Sequence, residues 1–353
     1  MTRTLVAAQS KSAGSALGRY VLVRFLLIIP TVFILVTTVF VLMRATGDPI
    51  TASLGGRLTP DQLAERIHAA GYDRPILVQY WEYLSGVFRG DFGMTISDNR
   101  PVVEVLTEYG AATLELAGYA VLVALVLGVP FGMISAYFRD RLPDAALRIL
   151  AILAYATPVF FAGLILKLIF SVWLGWFPVA GRISTNGEIE LRKADADSGF
   201  VLLDAIRTGD PAVVGDVLSH AALPATALGL LTAGVFLRLV RTNMIGTLGT
   251  DFVDAARSRG VRESRLVTAH AWRPALIPVI TVAGMQVAML LVGAVLTETT
   301  FEWRGLGFQL SEYLQARDFV AVQGIVVVMA VVVAVTNFLV DVVAAFVDPR
   351  VRF

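Results

Sequence analysis

The sequence predicts an all-α, polytopic membrane protein with about six transmembrane helices, on three observations. Of 353 residues, 56% are hydrophobic and only 16% are charged, whereas a soluble chain carries about 25% charged residues. A larger core cannot absorb that deficit, because a domain of this size still needs a polar surface; lipid is the solvent that resolves it. Six stretches stay mostly apolar over about 20 residues, the length needed to cross the hydrocarbon. Arginines gather in alternate connections, as the positive-inside bias requires.

The spans follow in order. Residues 1–24 form an N-terminal segment with Arg3, Lys11 and Arg19, a start that resembles a signal peptide. The apolar run at 25–43 is too long for a signal-peptide core and no small-residue cleavage site follows, so it is expected to be a retained first span. The second is expected at 112–137, the third at 149–176, the fourth at 219–239, the fifth at 275–297 and the sixth at 320–347. The fourth has the weakest apolar signal, being interrupted by Pro224 and several glycines. Pro158 and Pro224 are expected to kink their helices.

Loop charge sets the expected orientation. Residues 138–148 carry Arg139, Arg141 and Arg148, and residues 238–274 carry seven arginines against three acids, Asp251, Asp254 and Glu263. The tail at 348–353 adds Arg350 and Arg352. With six alternating spans these segments share a side with the N-terminus, which makes both termini cytoplasmic in a cell (inner or plasma) membrane. The opposite side receives 44–111, 177–218 and 298–319. An external domain is expected over 44–111, with a short helix starting at Thr59-Pro60-Asp61-Gln62 and an amphipathic stretch near Tyr80-Trp81-Glu82-Tyr83-Leu84. The polar segment 177–218 is expected to be a solvated loop, with docking of an external partner as the alternative.

Composition also excludes chemistry. A net charge of +1 gives no sign of nucleic acid, and a chain without cysteine has neither disulfides nor a thiolate metal site. The lysines are Lys11, Lys167 and Lys193, and none ends a G-x-x-x-x-G-K pattern, so a phosphate-cradling loop is missing. Neither H-E-x-x-H nor G-x-S-x-G occurs, so the chain is not expected to be an enzyme, to bind a metal or to hydrolyse ATP.

The long internal connection at 240–274 is the most informative segment. Asp251 through Ser258 can form a short helix with Phe252, Ala255 and Ala256 on one face, and Gly260 would end it. A short, small-residue helix between arginine-rich flanks suits insertion into a partner's groove, although the same arginines also serve topology alone. The pattern Asp254-Ala255-Ala256-x3-Gly260, followed by His270-Ala271-Trp272-Arg273-Pro274-Ala275-Leu276-Ile277-Pro278, resembles the EAA loop of ABC-importer permeases. It is most similar to the first permease subunit of the oligopeptide/dipeptide/nickel branch. Collinear motifs extend the likeness: Gly47-Asp48-Pro49, Asp73-Arg74-Pro75, Gly90-Asp91-Phe92-Gly93, Thr113-Leu114-Glu115-Leu116, Trp176-Phe177-Pro178, Leu223-Pro224, Gly305-Leu306-Gly307 and Asp348-Pro349-Arg350. Asp254 stands where many ABC importers carry Glu, and 180–218 is longer than usual for the branch.

The resemblance implies a type I ABC importer permease fold with an external insertion after span one. It implies coupling to the ATPase through Asp254, Ala255, Ala256, Arg257, Arg259 and Gly260. The implied partners are a sister permease, two cytoplasmic ABC ATPase subunits that hold ATP and Mg, and an extracytoplasmic substrate-binding protein. Its implied cargo is a di- or oligopeptide, with nickel or another small solute as the alternative within the branch. An ATP-independent secondary carrier is the alternative outside it, but the inverted repeats of that class are missing.

Ionisable and polar groups inside spans are pathway candidates. Glu115 lies near the external mouth of span two, where it can line the pathway or cap a helix. Lys167 lies nine residues before Trp176, about 13 Å along a helix, and can face the pathway, snorkel, or pair with an acid on a sister subunit. Asn337 and Asp341 share one face of span six, and Gln286 lies in span five; bundle packing is the alternative for these three.

Overall fold

The computed structural model describes residues 2–45 and 47–347. Apart from one isolated bridge between Met94 and Pro101, its ordered elements are helices. The expected tail at 348–353 lies outside the described residues.

Helix α1 (Thr2–Ala45) is followed by three short helices, α2 (Pro49–Leu54), α3 (Pro60–Ala69) and α4 (Ile76–Arg89). Then come α5 (Val102–Tyr137), α6 (Leu142–Ala156) and α7 (Val159–Leu166), the last continuing as a π-helical turn over Lys167–Trp173. Helices α8 (Thr185–Lys193) and α9 (Val201–Thr208) precede the long α10 (Pro211–Leu248). The chain ends with α11 (Asp251–Ser258), α12 (Glu263–Arg265), a π-helical stretch over Leu266–Ala271, α13 (Trp272–Phe301), α14 (Leu306–Gln315) and α15 (Phe319–Val347).

Starts are written in the sequence. Asp48 and Asp210 each precede a proline, which fits the first helical turn because its missing N–H has no partner there anyway. Asp48 accepts from Thr51 N at 2.7 Å and Asp210 from Ala212 N at 2.8 Å, satisfying donors that the helix leaves free. At α3 the Gln62 side chain reaches back to Thr59 N at 3.2 Å.

Among the described residues, four helices are long and apolar enough to cross a membrane, and five if α6 and α7 count as one bent span. The stretch expected as one span at 149–176 with a kink at Pro158 is two helices that meet at 110° beside Thr157-Pro158, a far sharper break than a kink. Pro158 starts α7 with extended backbone (ψ 137°), and the residue before a proline disfavours helix. Pro224 has no comparable effect, since α10 runs unbroken through it. Helix α13 is continuous over 30 residues and covers 275–297.

The weak fourth span turns out to be the centre of the bundle. In α10, 67% of the apolar window is buried, against 17% in α1. Its glycines and alanines, which dilute the hydropathy signal, allow close helix contact. Across from it on α5, a Cβ added to Gly132 would lie 2.7 Å from Val240 Cβ and 2.8 Å from Leu237 O. Helix α1 is peripheral, held by Val36 and Val39 against Leu84 of α4 and Val327 of α15. Its other apolar side chains, including Leu22, Phe25 and Ile34, are exposed.

The segment 177–218 is not a bare loop. Helices α8 and α9 fold onto the start of α10 around Leu191, Ala205, Val213 and Val217. These apolar positions are spaced for short helices, and their core is too small to stand out in a long hydropathy window.

Candidate coupling site and pathway residues

Helix α11 projects from the end of the bundle where α10 stops and α13 begins. Val253 is its buried anchor, while Phe252, Asp254 and Ala255 face outward and Ala256 is half-buried. The apolar face expected from Phe252, Ala255 and Ala256 is therefore the one turned away from the chain. After α11, Gly260 takes a left-handed conformation (φ +80°). Its N–H donates to Arg257 O at 2.9 Å, and Val261 N donates to Ala256 O at 3.3 Å. This paired arrangement is a Schellman stop, and glycine is the residue that enters it without steric penalty.

Arg257 clamps the turn from both sides. Its Nη1 lies 2.5 Å from Asp254 Oδ1 and its Nε 2.5 Å from Glu263 Oε1. The hydrogen bond from Arg257 holds the Glu263 carboxyl below its ordinary range. All three side chains are solvated, so the network shapes the turn more than it stabilises the fold. Arg259 is exposed and points its charge to solvent. Beyond the turn, Val267 and Ala271 pack with Val240 and Met244 of α10 and Ala136 of α5, which seats the projecting helix on the bundle.

A second polar centre supports this end. Asp144 is fully buried and takes Arg241 in a two-pronged contact, Nε at 2.7 Å and Nη2 at 2.8 Å. Ser135 Oγ donates to the same carboxylate at 2.5 Å and Asp140 N at 2.9 Å. Matched planar forks make such a pair strong and directional. It ties α5, α6 and α10 together beneath the loop. In the sequence Arg241 adds to the loop's positive charge; in the fold it is an internal ligand of Asp144.

The pathway candidates do not converge. Glu115 is buried and accepts from Arg182 Nη2 at 2.5 Å, Leu202 N at 2.8 Å and Tyr119 Oη at 3.0 Å. It thereby latches the 177–218 insertion onto α5. Lys167 Nζ donates to Thr300 O at 3.1 Å and lies 5.8 Å from the Phe301 ring centre. A cation there meets one of the carbonyls left unpaired at the end of α13, on the negative side of the helix dipole. Asp341 pairs with Arg24 at 3.2 Å, joining α15 to α1. Asn337 is exposed on α15 and Gln286 half-buried on α13.

Two motifs read separately in the sequence form one joint. Glu298, fully buried, accepts from Thr113 Oγ1 at 2.7 Å and Phe308 N at 2.9 Å. Thr113 Oγ1 accepts from Leu306 N at 2.8 Å, and Trp303 Nε1 donates to Ala112 O at 2.9 Å. Thr113-Leu114-Glu115-Leu116 and Gly305-Leu306-Gly307 thus meet around Glu298. Asp318 plays the same part for the first insertion, accepting from Ile96 N at 2.6 Å and from Ser97 N at 2.8 Å.

A long central helix pair, a bent span and a projecting loop helix define the class: this is the architecture of an ABC-importer permease. The fold is similar to the MetNI methionine ABC transporter in its inward-facing conformations, at TM-score 0.50 and 15% identity, over 67% of this chain and 93% of that one. Residues 128–353 match the binding-protein-dependent transport system inner membrane component, and residues 17–116 match the N-terminal membrane component of the same systems. The chain belongs to the binding-protein-dependent transport system inner membrane component family. Relatives include the di/tripeptide transport system permease protein DppB of Pseudomonas aeruginosa, 38% identical over 92% of this chain and 96% of the relative. The dipeptide transport system permease protein DppB of Escherichia coli is 38% identical over 95% and 98%. The glutathione transport system permease protein GsiC of Salmonella choleraesuis is 32% identical over 95% and 99%.

Proposed function

We propose that this chain is the membrane permease subunit of an ATP-driven importer of short peptides, and that α11 is the element through which ATP acts on it. The observation that carries the reading is the outward display of Phe252 and Ala255 on a helix anchored from below by Val253 and stopped by Gly260. A short helix that presents one large apolar side chain, Phe252, beside the small Ala255 fits the helix-in-groove mode of recognition. The full-length similarity to dipeptide permeases supports a di- or oligopeptide cargo.

In this reading the loop end of the bundle and both termini face the cytoplasm, and six spans cross the cell membrane, with α6 and α7 sharing one. Two ATPase subunits hold ATP and Mg; this permease and a sister permease enclose the pathway, and an external binding protein delivers the peptide. Closure of the ATPases then differs in its contacts with inward- and outward-facing states, the only way a ligand can shift such an equilibrium. The Asp144–Arg241 fork beneath α11 lets a push on the loop move α5, α6 and α10 together.

Reconstitution tests the proposal. The permease pair with ATPases and binding protein is expected to accumulate labelled dipeptide in proteoliposomes only when ATP is present. Uptake at equal rate with no ATPase would refute it.

A further inference from the structure

Helix α4, in the insertion expected to be an external domain, leaves much of its apolar surface uncovered. Leu77, Trp81 and Phe88 are 78%, 70% and 79% exposed. Single exposed apolar residues are ordinary, but these three recur with Leu84 at spacings of four, three and four, which makes one stripe along a helix. Of that stripe only Leu84 is buried, in the cluster it forms with Val36 and Val39 of α1 and Val327 of α15. The open stripe therefore borders the face by which α4 is held to two spans. The charged residues of α4, Glu82 and Arg89, lie a quarter-turn or more round the helix from it. Glu82 is answered by Arg74 at 2.6 Å.

The partners of α4 fix its depth. Arg44 ends the uncharged run of α1, and Asp318 precedes that of α15. Val36 lies eight residues before Arg44, about 12 Å along the helix, and Val327 nine residues after Asp318, about 13 Å. Leu84 thus packs well inside the charged limits of both spans. Tyr80 Oη shares a hydrogen bond with Thr37 Oγ1 at 2.7 Å, and the rings of Tyr80 and Tyr83 meet that of Phe40 at 5.2 and 5.5 Å. These α1 partners also precede Arg44. At the start of α4, Ile76 and Leu77 line an apolar groove with Val41 and Ala45. The stripe therefore runs into the apolar side of α1, where Val41 and Leu42 are more than half exposed.

This placement identifies what covers the stripe. It is uncharged, it continues the exposed apolar surface of a span, and it lies at the level of the hydrocarbon border. A helix in the membrane interface buries its apolar face about 5–10 Å into the headgroup and acyl boundary. Trp81 suits that border, with an apolar ring for the chains and an N–H for the headgroups.

We infer that α4 is seated in the bilayer leaflet on the insertion's side, with Leu77, Trp81 and Phe88 among the acyl chains and Arg74, Glu82 and Arg89 toward the headgroups. The partner of this surface is lipid, neither a sister permease nor a soluble protein. The helix anchors the first insertion beside α1 and α15, and the inference rests on those two spans alone, whatever the cargo.

The test uses the assembled transporter in lipid nanodiscs. Because the chain has no cysteine, Leu77→Cys, Trp81→Cys and Phe88→Cys each give one thiol for a nitroxide spin label, and Asp61→Cys on the exposed, polar side of α3 gives an aqueous reference. The three α4 side chains are mostly exposed, so their replacement removes little packing within the chain. Electron paramagnetic resonance then compares collision of each label with oxygen, which concentrates in lipid, and with a water-soluble nickel chelate. Oxygen is expected to exceed nickel at 77, 81 and 88, and nickel to exceed oxygen at 61. Nickel exceeding oxygen at any of the three would overturn the inference, since that part of the stripe would then face water. Shielding of the three from both reagents would overturn it as well, because protein would then cover the stripe.

Discussion

Removing one half of the Asp144–Arg241 pair should destabilise the permease far more than removing both. Asp144 has no exposed side-chain surface, and Arg241 keeps 18% of its own. Asp144→Asn preserves shape and one acceptor but leaves the guanidinium without its counter-charge. Breaking a buried pair from one side costs about 3–5 kcal/mol, and the partial exposure of Arg241 puts Asp144→Asn at the low end, about 3 kcal/mol. Arg241→Gln should cost about 3–4 kcal/mol, since it leaves a fully buried carboxylate with Ser135 Oγ, Asp140 N and the longer, solvated Arg148 Nε contact at 3.6 Å. The double variant strands no charge, so its cost should fall short of the sum by about 2–3 kcal/mol. Equilibrium unfolding in mixed micelles of rising SDS content, followed by tryptophan fluorescence, measures all three. A coupling energy below about 0.5 kcal/mol, the additivity expected of independent sites, would refute the reasoning.

Other consequences follow from the same geometry. Gly132→Leu drives a side chain into Val240 and Leu237 O, and overpacking of this kind should cost about 1–3 kcal/mol in the same unfolding assay; Gly132→Ala should cost less. Gly260→Val places a β-branched residue at φ +80° and should cost about 1–2 kcal/mol and slow ATP-driven uptake, whereas Gly260→Asn should largely retain it. The Glu263 carboxyl is depressed in the folded loop by Arg257, so its contribution is present above the ordinary glutamate range and lost as pH falls through the lowered value. Protease resistance of the 251–265 loop should therefore hold from neutral pH down to about pH 5 and decline below about 4, while Glu263→Gln should show the reduced resistance already at neutral pH.

Membrane character and the short helix at Asp251–Ser258 were legible because their signals are local. Apolar runs, the Thr59-Pro60 start and the glycine stop each act within a few residues, and the α11 turn at Gly260 follows from spacing alone. Hydropathy gave α10 its weakest span signal, because a helix buried among other helices trades large apolar residues for glycine and alanine at positions such as Gly229 and Ala233. It missed α8 and α9 for a related reason: Leu191, Ala205, Val213 and Val217 make a core too small to register. The polar centres were illegible for a different reason. Asp144 finds Arg241 97 residues away, Glu298 finds Thr113 185 away, and Asp318 finds Ile96 222 away. Spacing carries no trace of such pairs, although Asp140 and Asp144 among the arginines at 139–148 and Glu298 at the end of an apolar span are visible hints. Lys167 and Arg24 also show that a charge in a span can be answered within the chain, by a helix terminus or by Asp341.

The central claim is that α11 seats in an ATPase subunit with Phe252 inward. The chain has no cysteine, so Phe252→Cys introduces a single thiol that can be cross-linked in the assembled transporter. The account predicts a cross-link from position 252 to the ATPase subunit, and its loss when ATP binding shifts the complex or when Gly260→Val distorts the loop. Absence of any ATPase cross-link from position 252, together with one from Ile206→Cys on the opposite insertion, would contradict it.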